Sequence, residues 1–450
     1  MMCWNTLLTP LRFESEDKPR KQNHDEEFER TQFQRDYDRI VFSSPFRRLQ
    51  NKTQVFPLPG SVLVHNRLTH SLEVACVGRS LGSMLSAKLK QDQQYKDNPF
   101  IDQIGNIIAA ACLAHDMGNP AFGHSGEKAI SQYFISNTAI YRSFLNETEW
   151  NDLTNFEGNA NALRLLTHRF NNRAEGPFGL TYPTLAAIVK YPCQSTARDK
   201  SNIHRKKYGF FNSEKETFVR IAQKLGMVKT QDNPLAYSRY PLAYLVEAAD
   251  DICYNIIDIE DAHRLKIFTD DEVLDLLLPS CGDESQKTRE RLRRLNDSND
   301  KISLLRAKSI STLTQLIFEA FWRNHDAILK GKLNTDLKAC LPSEYKLQLE
   351  KIGEISTQKI YNYRSVVEKE IAGYKIIGGL LEEFIPMIIS EKRSHYQDKL
   401  MQLFPLQFMP TKNNAYSKMQ AVLDFVSGMT DIFAVELYKR IKGTSFPELS

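Results

Sequence analysis

Hydrophobic residues along this chain recur mainly at spacings of three and four positions, which is the period of a helix with one buried face. Residues 72–76 and 366–381 are examples, whereas segments that alternate apolar and polar side chains are few. The pattern therefore predicts an all-α protein, mainly helical, with at most a small β-hairpin. The candidate hairpin pairs residues 53–57 with residues 61–65 across a Pro-Gly turn.

Changes in charge and in helical pattern divide the chain into four predicted regions. Residues 1–35 are expected to form a polar N-terminal arm, and residues 36–275 a helical core. The stretch 276–308 is dense in charged residues, which is typical of an exposed insertion or linker. Amphipathic helices resume over 309–450, where a C-terminal helical region is expected to pack on the core.

The composition is that of an ordinary globular protein. The 450 residues are 42% hydrophobic and 25% charged, values that exclude a disordered chain or a fibre. The most apolar run, residues 107–114, falls far short of the roughly 20 residues that cross a bilayer, so no membrane span is expected. A net charge of +4 does not indicate a nucleic-acid-binding protein, although local basic groups could hold a small polyphosphate.

Cysteine usage and the N-terminal residues indicate a reducing compartment. The seven cysteines are scattered and never form a CxxC pair, which argues against a disulfide framework and against a thiolate metal site. The first residues lack a basic start followed by an apolar stretch, so export is not expected. We therefore expect a cytoplasmic protein.

Four residues from three separate segments stand out as candidate metal ligands. They are His70 in RLTHSLEV, His115 and Asp116 in AHDMGNP, and Asp250 in EAADDICY. Imidazole and carboxylate groups without thiolates suit a divalent cation such as Mn, Fe, Co, Ni or Zn. A single metal ion could be held by all four side chains.

The segment that leads to His115 supports this hypothesis. Residues 107–114 are apolar on every side, which predicts a buried helix, and a Gly-Asn-Pro sequence ends it soon after Asp116. A buried aspartate at the negative end of a helix dipole is unfavourable unless a cation compensates it. The alternative is a His-Asp pair that simply reaches solvent.

A second helix carries a polar stripe on an otherwise apolar surface. At about 100° per residue, Asp250, Tyr254 and Asp258 fall within an arc of about 80°. Apolar residues fill the rest of the circumference, which favours the wall of a pocket. A solvent-exposed face is the alternative, because further acids occur in the same segment.

Two further pairs add the chemistry of phosphate binding and proton transfer. Arg67 lies three residues before His70, which places a guanidinium beside a metal-bound imidazole; taken alone, Arg67 would be interpreted as a surface cation. His124 and Glu127 lie where a loop enters a helix, and a carboxylate that orients an imidazole suits a general base. A helix-start histidine with a capping glutamate is the alternative.

Five motifs follow one another along the chain: RLTHSLEV, HDMGNPAFGHSGE, NFEGNANALRLL, VKYP and EAADDICYNIIDIED. Together they resemble the bacterial deoxyguanosine triphosphate triphosphohydrolases, a branch of the HD-domain phosphohydrolases. The likeness extends from Arg35 to Asp261 and continues more weakly in YRSVVEKEIAGYKIIGGLLEEF and DFVSGMTDIFAVELY.

The resemblance implies an HD-domain helical core with one divalent metal ion per subunit, held by His70, His115, Asp116 and Asp250. Mn²⁺ or Mg²⁺ is the expected ion, with Zn²⁺, Co²⁺ and Ni²⁺ as alternatives. The implied reaction is hydrolysis of a deoxynucleoside triphosphate (dNTP) to a deoxynucleoside and inorganic triphosphate, with dGTP preferred or among the substrates. A homo-oligomer, a tetramer or a hexamer, is also implied.

The resemblance further assigns roles around the substrate. His124, supported by Glu127, lies beside the attacking water. Tyr254 crowds the 2′ carbon of the deoxyribose, and Asp258 binds its 3′-hydroxyl. The remaining implied contacts are a glutamine on the sugar and four residues on the phosphates, namely Gln54, Arg67, Lys190, Tyr191 and Lys207.

Two residues depart from the family pattern. Asn119 stands where the vertebrate HD-domain dNTPases have a second histidine, which places the chain nearer the bacterial branch and argues against nucleotide-activated control. Asn161 replaces a frequent glutamine.

Two alternatives to this function stay open. The nearer one is another HD-type nucleotide phosphohydrolase, a phosphodiesterase or a monophosphatase, which would release different products. The more distant one is an inactive regulatory protein that binds nucleotides or single-stranded DNA. Against the latter, every expected ligand is present, and the sequence shows no dedicated DNA-binding module.

Overall fold

A computed structural model describes residues 1–13, 30–57, 64–171, 178–410 and 412–445. In these ranges the chain forms 21 α-helices and one two-stranded sheet, which confirms the predicted all-α class. The α-helices are α1 (Trp4–Leu7), α2 (Gln32–Val41), α3 (Ser44–Arg48), α4 (Arg67–Leu89), α5 (Ile104–Ala114), α6 (His124–Ser136), α7 (Thr138–Tyr141), α8 (Glu147–Thr154), α9 (Gly158–Thr167), α10 (Tyr182–Ile188), α11 (Lys215–Lys224), α12 (Pro241–Arg264), α13 (Asp270–Leu277), α14 (Ser285–Leu292), α15 (Ser298–Arg323), α16 (His325–Leu329), α17 (Ser343–Ser356), α18 (Arg364–Ile389), α19 (His395–Gln402), α20 (Ala415–Ser427) and α21 (Asp431–Ile441).

Shorter helical turns connect several of these helices. A π-helical turn at Thr357–Tyr361 joins α17 to α18. The 3₁₀ turns are Leu49–Asn51, Ile101–Gln103, Arg142–Phe144, Ser195–Ala197, Asn212–Glu214, Leu278–Glu284, Lys338–Cys340 and Leu406–Phe408.

The small sheet lies away from the position that the sequence suggested. Strands β1 (Lys229–Gln231) and β2 (Ala236–Tyr237) pair antiparallel, with an irregularity in their register. The predicted hairpin is wrong for its described residues: Thr53 makes an isolated antiparallel bridge to Asn66, and no regular strand forms between Gln54 and Pro57. Residues 61–63 of the predicted hairpin lie outside the described residues.

The main hydrophobic core surrounds α5, which packs against α2, α4, α10 and α12. Every residue of α5 except Asn106 is buried, so this helix has no solvent face, as its sequence predicted. The helix ends at Ala114, and His115 is its C-cap. The core helix therefore delivers the His-Asp pair to the interior of the protein.

A second hydrophobic cluster joins the C-terminal helices to α6 and α8. Helix α18 packs along α6, and α20 and α21 pack on α18. Two buried polar connections tie α20 to the rest of the chain. Arg164 of α9 forms paired 2.7 Å bonds with Asp424 and also binds Glu214, and the Lys52 ammonium donates to the carbonyl oxygens of Asn119 and Ser427 at 2.5 and 3.0 Å.

The start of the chain also packs into the main core. Trp4 is completely buried, and its Nε1 donates to Nε2 of His325 at 2.8 Å, while the Met2 amide donates to the Leu329 carbonyl. Within the described ranges, none of the helices combines the length and the apolar character that crossing a bilayer requires. The division into four regions stays a prediction.

Candidate active site

Three helices bring together a cluster of histidine and aspartate side chains. His70 lies on α4, His115 caps α5 and Asp250 lies on α12. Nε2 of His70 is 3.1 Å from Oδ1 of Asp250, and Nε2 of His115 is 3.5 Å from the same oxygen. Among the described residues, the candidate ligand atoms of these three side chains all lie within 4.8 Å of one another.

Local signals explain the position of His70. Helix α4 begins at Arg67 because Asn66 and Thr69 form a capping box: the Asn66 side chain accepts the Thr69 amide at 3.0 Å, and Thr69 Oγ1 accepts the Asn66 amide. This start places His70 one turn into the helix, where it is 2% exposed. The buried imidazole therefore contacts the Asp250 carboxylate from the protein interior.

The hydrogen bonds of His115 leave one ring nitrogen facing the cluster. Nδ1 donates to the Cys112 carbonyl at 2.6 Å, so Nε2 of the neutral imidazole carries the free lone pair. This buried Nε2 has no hydrogen-bond partner among the residues that the structure describes. Burial lowers the pKa of His115, but the charges of Asp116 and Asp250 outweigh burial and the net pKa is raised. The cluster therefore attracts positive charge, and its nitrogen and oxygen ligands fit a divalent metal ion.

Asp116 lies beside this cluster. Its Oδ2 accepts from Arg67 at 2.5 Å and its Oδ1 from Asn119 at 2.6 Å, while Oδ1 is 3.6 Å from Nε2 of His115. Burial would raise the pKa of Asp116, but Arg67 and the two histidines hold it well below its usual range. The role of Asp116 as the fourth ligand stays a prediction.

Two of the simpler interpretations of these residues are wrong. His115 and Asp116 are each 8% exposed, so the pair does not reach solvent at the helix end. Arg67 is 7% exposed and paired with a buried carboxylate, so it is not a surface cation.

His124 and Glu127 form a hydrogen-bonded pair at the start of α6. Nδ1 of His124 donates to Oε2 of Glu127 at 2.7 Å, and Oε1 of Glu127 accepts the Gly158 amide at 2.7 Å. Burial would raise the pKa of Glu127, but His124 and Lys207 keep it lowered, so the carboxylate is ionised. The His124 side chain is 74% exposed, which leaves its other nitrogen accessible from the cavity.

The polar stripe of α12 faces the same cavity. Asp250, Tyr254 and Asp258 all line it, and the nearby acids Glu260 and Asp261 are buried. The solvent-exposed alternative for this face is therefore wrong. Burial raises the pKa of Asp258 to about 7, although a hydrogen bond partly opposes this shift.

The three cations that the sequence predicted as phosphate contacts line the same cavity. Besides Arg67, Lys190 Nζ lies 3.0 Å from Oδ2 of Asp250, and Lys207 Nζ lies 3.1 Å from Oε2 of Glu157. Tyr191 follows Lys190 and lies on the cavity wall. Each of the three cations is therefore paired with a carboxylate, Arg67 with Asp116, Lys190 with Asp250 and Lys207 with Glu157.

These groups share one cavity of about 490 Å³. All the predicted site residues line it except His70, which lies behind Asp250. The sequence interpretation missed the lining residues contributed by the C-terminal region. These are Tyr361, Val366, Lys369 and Glu370.

Two contacts connect these C-terminal residues to the predicted site. The Tyr361 hydroxyl donates to Oδ2 of Asp258 at 2.8 Å, and Lys369 Nζ donates to the Val55 carbonyl at 2.6 Å, next to Gln54. The weak C-terminal likeness in YRSVVEKEIAGYKIIGGLLEEF covers Val366, Lys369 and Glu370 but singled out none of them, and Tyr361 lies two residues before this segment.

Comparisons with known proteins agree with this geometry. Residues 67–176 match the HD domain, and residues 339–440 match the phosphohydrolase-associated domain. The chain is 37% identical over 455 residues to a Synechocystis protein named deoxyguanosinetriphosphate triphosphohydrolase-like protein, covering 99% of this chain and 100% of that protein. A Pseudomonas aeruginosa protein of the same name is 37% identical with the same coverage. A Yersinia enterocolitica protein named deoxyguanosinetriphosphate triphosphohydrolase is 30% identical over 93% of this chain and 95% of its own length.

The helical fold, the His-Asp cluster and the HD-domain match define an HD-domain hydrolase. Within this class the chain belongs to the deoxyguanosinetriphosphate triphosphohydrolase family, because its similarity to these relatives extends over nearly the whole chain. The resemblance in the sequence motifs is thereby confirmed.

Proposed function

We propose that the protein hydrolyses dNTPs, dGTP among them, to the deoxynucleoside and inorganic triphosphate, with one divalent metal ion per subunit. The observation that carries this proposal is one cavity that joins the His-Asp cluster, the His124–Glu127 pair and three cations. The names of the full-length relatives, which refer to dGTP, support the choice of substrate.

The charges of the cavity suit a triphosphate. A dNTP brings about four negative charges, which repel an incoming oxygen nucleophile unless cations offset them. Arg67, Lys190 and Lys207 line the cavity and would bind the phosphates, the guanidinium by paired hydrogen bonds. These cations favour in-line attack at phosphorus.

His70, His115 and Asp250, with Asp116 beside them, would hold the metal ion. When bound there, a divalent ion supplies Lewis-acid polarisation of a phosphoryl oxygen. Mn²⁺ and Mg²⁺ are the first candidates, with Zn²⁺, Co²⁺ and Ni²⁺ as alternatives for a mixed nitrogen and oxygen ligand set.

His124 is the proposed general base. Its accessible nitrogen takes a proton from water while Glu127 keeps the ring oriented. The water oxygen forms a bond to the α-phosphorus, and the bond from that phosphorus to the 5′ oxygen breaks. The 5′ oxygen leaves with a solvent proton as the nucleoside alcohol, and His124 returns its proton to solvent.

Tyr254 and Asp258 are proposed to select the deoxyribose. Tyr254 lies between Asp250 and Asp258 on the cavity wall, with its hydroxyl 3.5 Å from Nζ of Lys338. A tyrosine against the 2′ carbon would exclude a 2′-hydroxyl by contact. Tyr254→Ala should therefore reduce the preference for dGTP over GTP.

Product analysis tests the proposed reaction. The protein is incubated with each dNTP and with GTP, plus Mn²⁺ or Mg²⁺, and the products are separated by anion exchange. Release of intact triphosphate and deoxynucleoside is expected, whereas monophosphate or diphosphate would identify a different HD-type phosphohydrolase. In water enriched in heavy oxygen, the label should appear in triphosphate and not in the nucleoside.

Metal analysis tests the ligand assignment separately. His115→Gln and Asp250→Asn should lose the metal measured by mass spectrometry and lose turnover, while the general-base variant His124→Ala should lose turnover and keep the metal. A metal-free and fully active Asp250→Asn variant would refute the site. Sedimentation of the wild-type protein tests the proposed tetramer or hexamer, and a salt-dependent shift assay tests single-stranded DNA.

A further inference from the structure

We propose that Asp431, the first residue of α21, is a positioning residue that holds the loops of Gln54 and His124 on either side of the cavity. This inference rests on the proposed function, because it assigns Asp431 a role in that same reaction through His124. Asp431 is 7% exposed and does not line the cavity.

The Asp431 carboxylate bonds to both loops at once. Its Oδ2 accepts the Thr53 amide at 2.9 Å, and its Oδ1 accepts the Phe122 amide at 2.9 Å. Thr53 directly precedes Gln54, and Phe122 lies two residues before His124. A carboxylate can serve two backbone donors in this way, whereas an amide side chain offers only one acceptor oxygen. The negative charge and the geometry of Asp431 therefore fix the spacing between the two loops.

The loop before His124 needs such a restraint. Phe122 has φ 63° and Gly123 has φ 60°, so two consecutive residues adopt left-handed backbone conformations immediately before α6. This conformation is disfavoured for Phe122, which has a Cβ. At Gly123 a Cβ would also lie 2.5 Å from Nη2 of Arg67. Without an acceptor for the buried Phe122 amide, the loop would relax and move His124.

Neighbouring contacts oppose movement of the same loop. A Cβ on Gly373 of α18 would lie 2.7 Å from the Phe122 Cβ, so the helix backbone closes tightly against this residue. Lys52, just before Thr53, donates to the carbonyl oxygens of Asn119 and Ser427. The C-terminal helices thus contact both loops at several points, and the Asp431 carboxylate bonds to the backbone of each loop.

Asp431→Asn tests the positioning role, because it removes one of the two acceptor oxygens. Thr430→Ala is the matched control. Thr430 caps α21 by accepting the Phe433 amide at 3.2 Å, so its loss loosens the same helix end without removing a bond to either loop. Asp431→Asn should lower kcat for dGTP by about 10- to 100-fold, because a small displacement of a reacting group has effects of this size. Thr430→Ala should lower the melting temperature and leave kcat within about twofold of wild type.

A double-mutant cycle distinguishes positioning from general damage. If Asp431 acts through His124, then Asp431→Asn should cause little further loss of kcat in the His124→Ala background. An equal fold-loss in both backgrounds would overturn the proposal, as would wild-type kcat in Asp431→Asn. If Asp431→Asn does not fold, Asp431→Glu replaces it, since glutamate keeps both acceptors on a longer side chain and should give a smaller loss.

Amide exchange tests the restraint without relying on activity. In Asp431→Asn, peptides that cover residues 52–57 and 119–127 should exchange hydrogen faster than in wild type, and in Thr430→Ala they should not. Unchanged exchange in both peptides would overturn the proposal. A wild-type protein that releases no triphosphate from dGTP would refute the proposed function, while the exchange result would still decide whether Asp431 restrains the loops.

Discussion

The hydrogen bond from Tyr361 to Asp258 offers a direct test of the proposed contact between Asp258 and the sugar. Tyr361→Phe removes the hydroxyl that donates at 2.8 Å and keeps the aromatic ring. A hydrogen bond to an ionised acceptor contributes about 1.5 to 3 kcal/mol, which corresponds to a loss of about 10- to 100-fold in kcat/KM. The upper part of this range applies if Asp258 binds the substrate as a carboxylate, because Asp258 is only 5% exposed and water replaces the donor poorly.

The same substitution should change the pH dependence. Burial already raises the pKa of Asp258 to about 7, and the Tyr361 hydroxyl opposes that shift. Without the hydroxyl the pKa rises further, so more of the Asp258 side chain is protonated near neutral pH. The loss of kcat/KM should therefore be largest at low pH and shrink as the pH rises through the new pKa.

Comparison of two substrates makes this prediction specific. The dideoxy analogue of dGTP lacks the 3′-hydroxyl, so the penalty of Tyr361→Phe should be large with dGTP and nearly absent with the analogue. Tyr363→Phe is the control, because Tyr363 is 43% exposed and does not line the cavity. An equal penalty with both substrates would refute the inference that Tyr361 acts through a contact between Asp258 and the 3′-hydroxyl.

Three further predictions concern packing, ion pairing and pH. Gly373→Ala should lower turnover at least tenfold, because its Cβ would collide with Phe122. Gly378→Ala has no described atom within 4 Å of its new Cβ, so it should keep activity and gain about 1 kcal/mol in unfolding free energy. Steady-state kinetics and denaturant unfolding test both expectations, and equal behaviour of the two variants would contradict them. Arg164→Met should cost about 3 to 5 kcal/mol in unfolding free energy, since it leaves two buried carboxylates without their cation; a loss below about 1 kcal/mol would contradict this. Burial lowers the pKa of His204 to about 4. The unfolding free energy should therefore fall by up to about 3 kcal/mol as the pH drops from the unfolded pKa of about 6.5 through 4. His204→Gln should remove this pH dependence in urea titrations.

The sequence predicted those parts of the site that depend on local chemistry. An unbroken apolar run identified α5 as a buried helix, and the acids of α12 stood out because the rest of that helix is apolar. Histidine and aspartate also supply nitrogen and oxygen ligands that suit a divalent cation. These features can be predicted from a single sequence, because the residue types themselves indicate which helix faces are buried and which side chains can bind a metal ion.

The C-terminal wall of the cavity could not be predicted in the same way. Tyr361, Lys369 and Glu370 belong to segments in which charged and aromatic residues are expected on a solvated face. Only the fold shows that this face meets α12 and the Gln54 loop. The small sheet also draws on a distant segment, because Cys193 bridges to Ala236 of β2.

The buried ammonium of Lys52 has a consequence for biosynthesis. One of its two acceptors, the Ser427 carbonyl, lies 375 residues further along the chain. A nascent polypeptide therefore lacks one of the two folded-state acceptors of Lys52 until almost all of it has left the ribosome. Chains that terminate before α20 should therefore lack this link between the core and the C-terminal helices, and they should become targets for proteolysis.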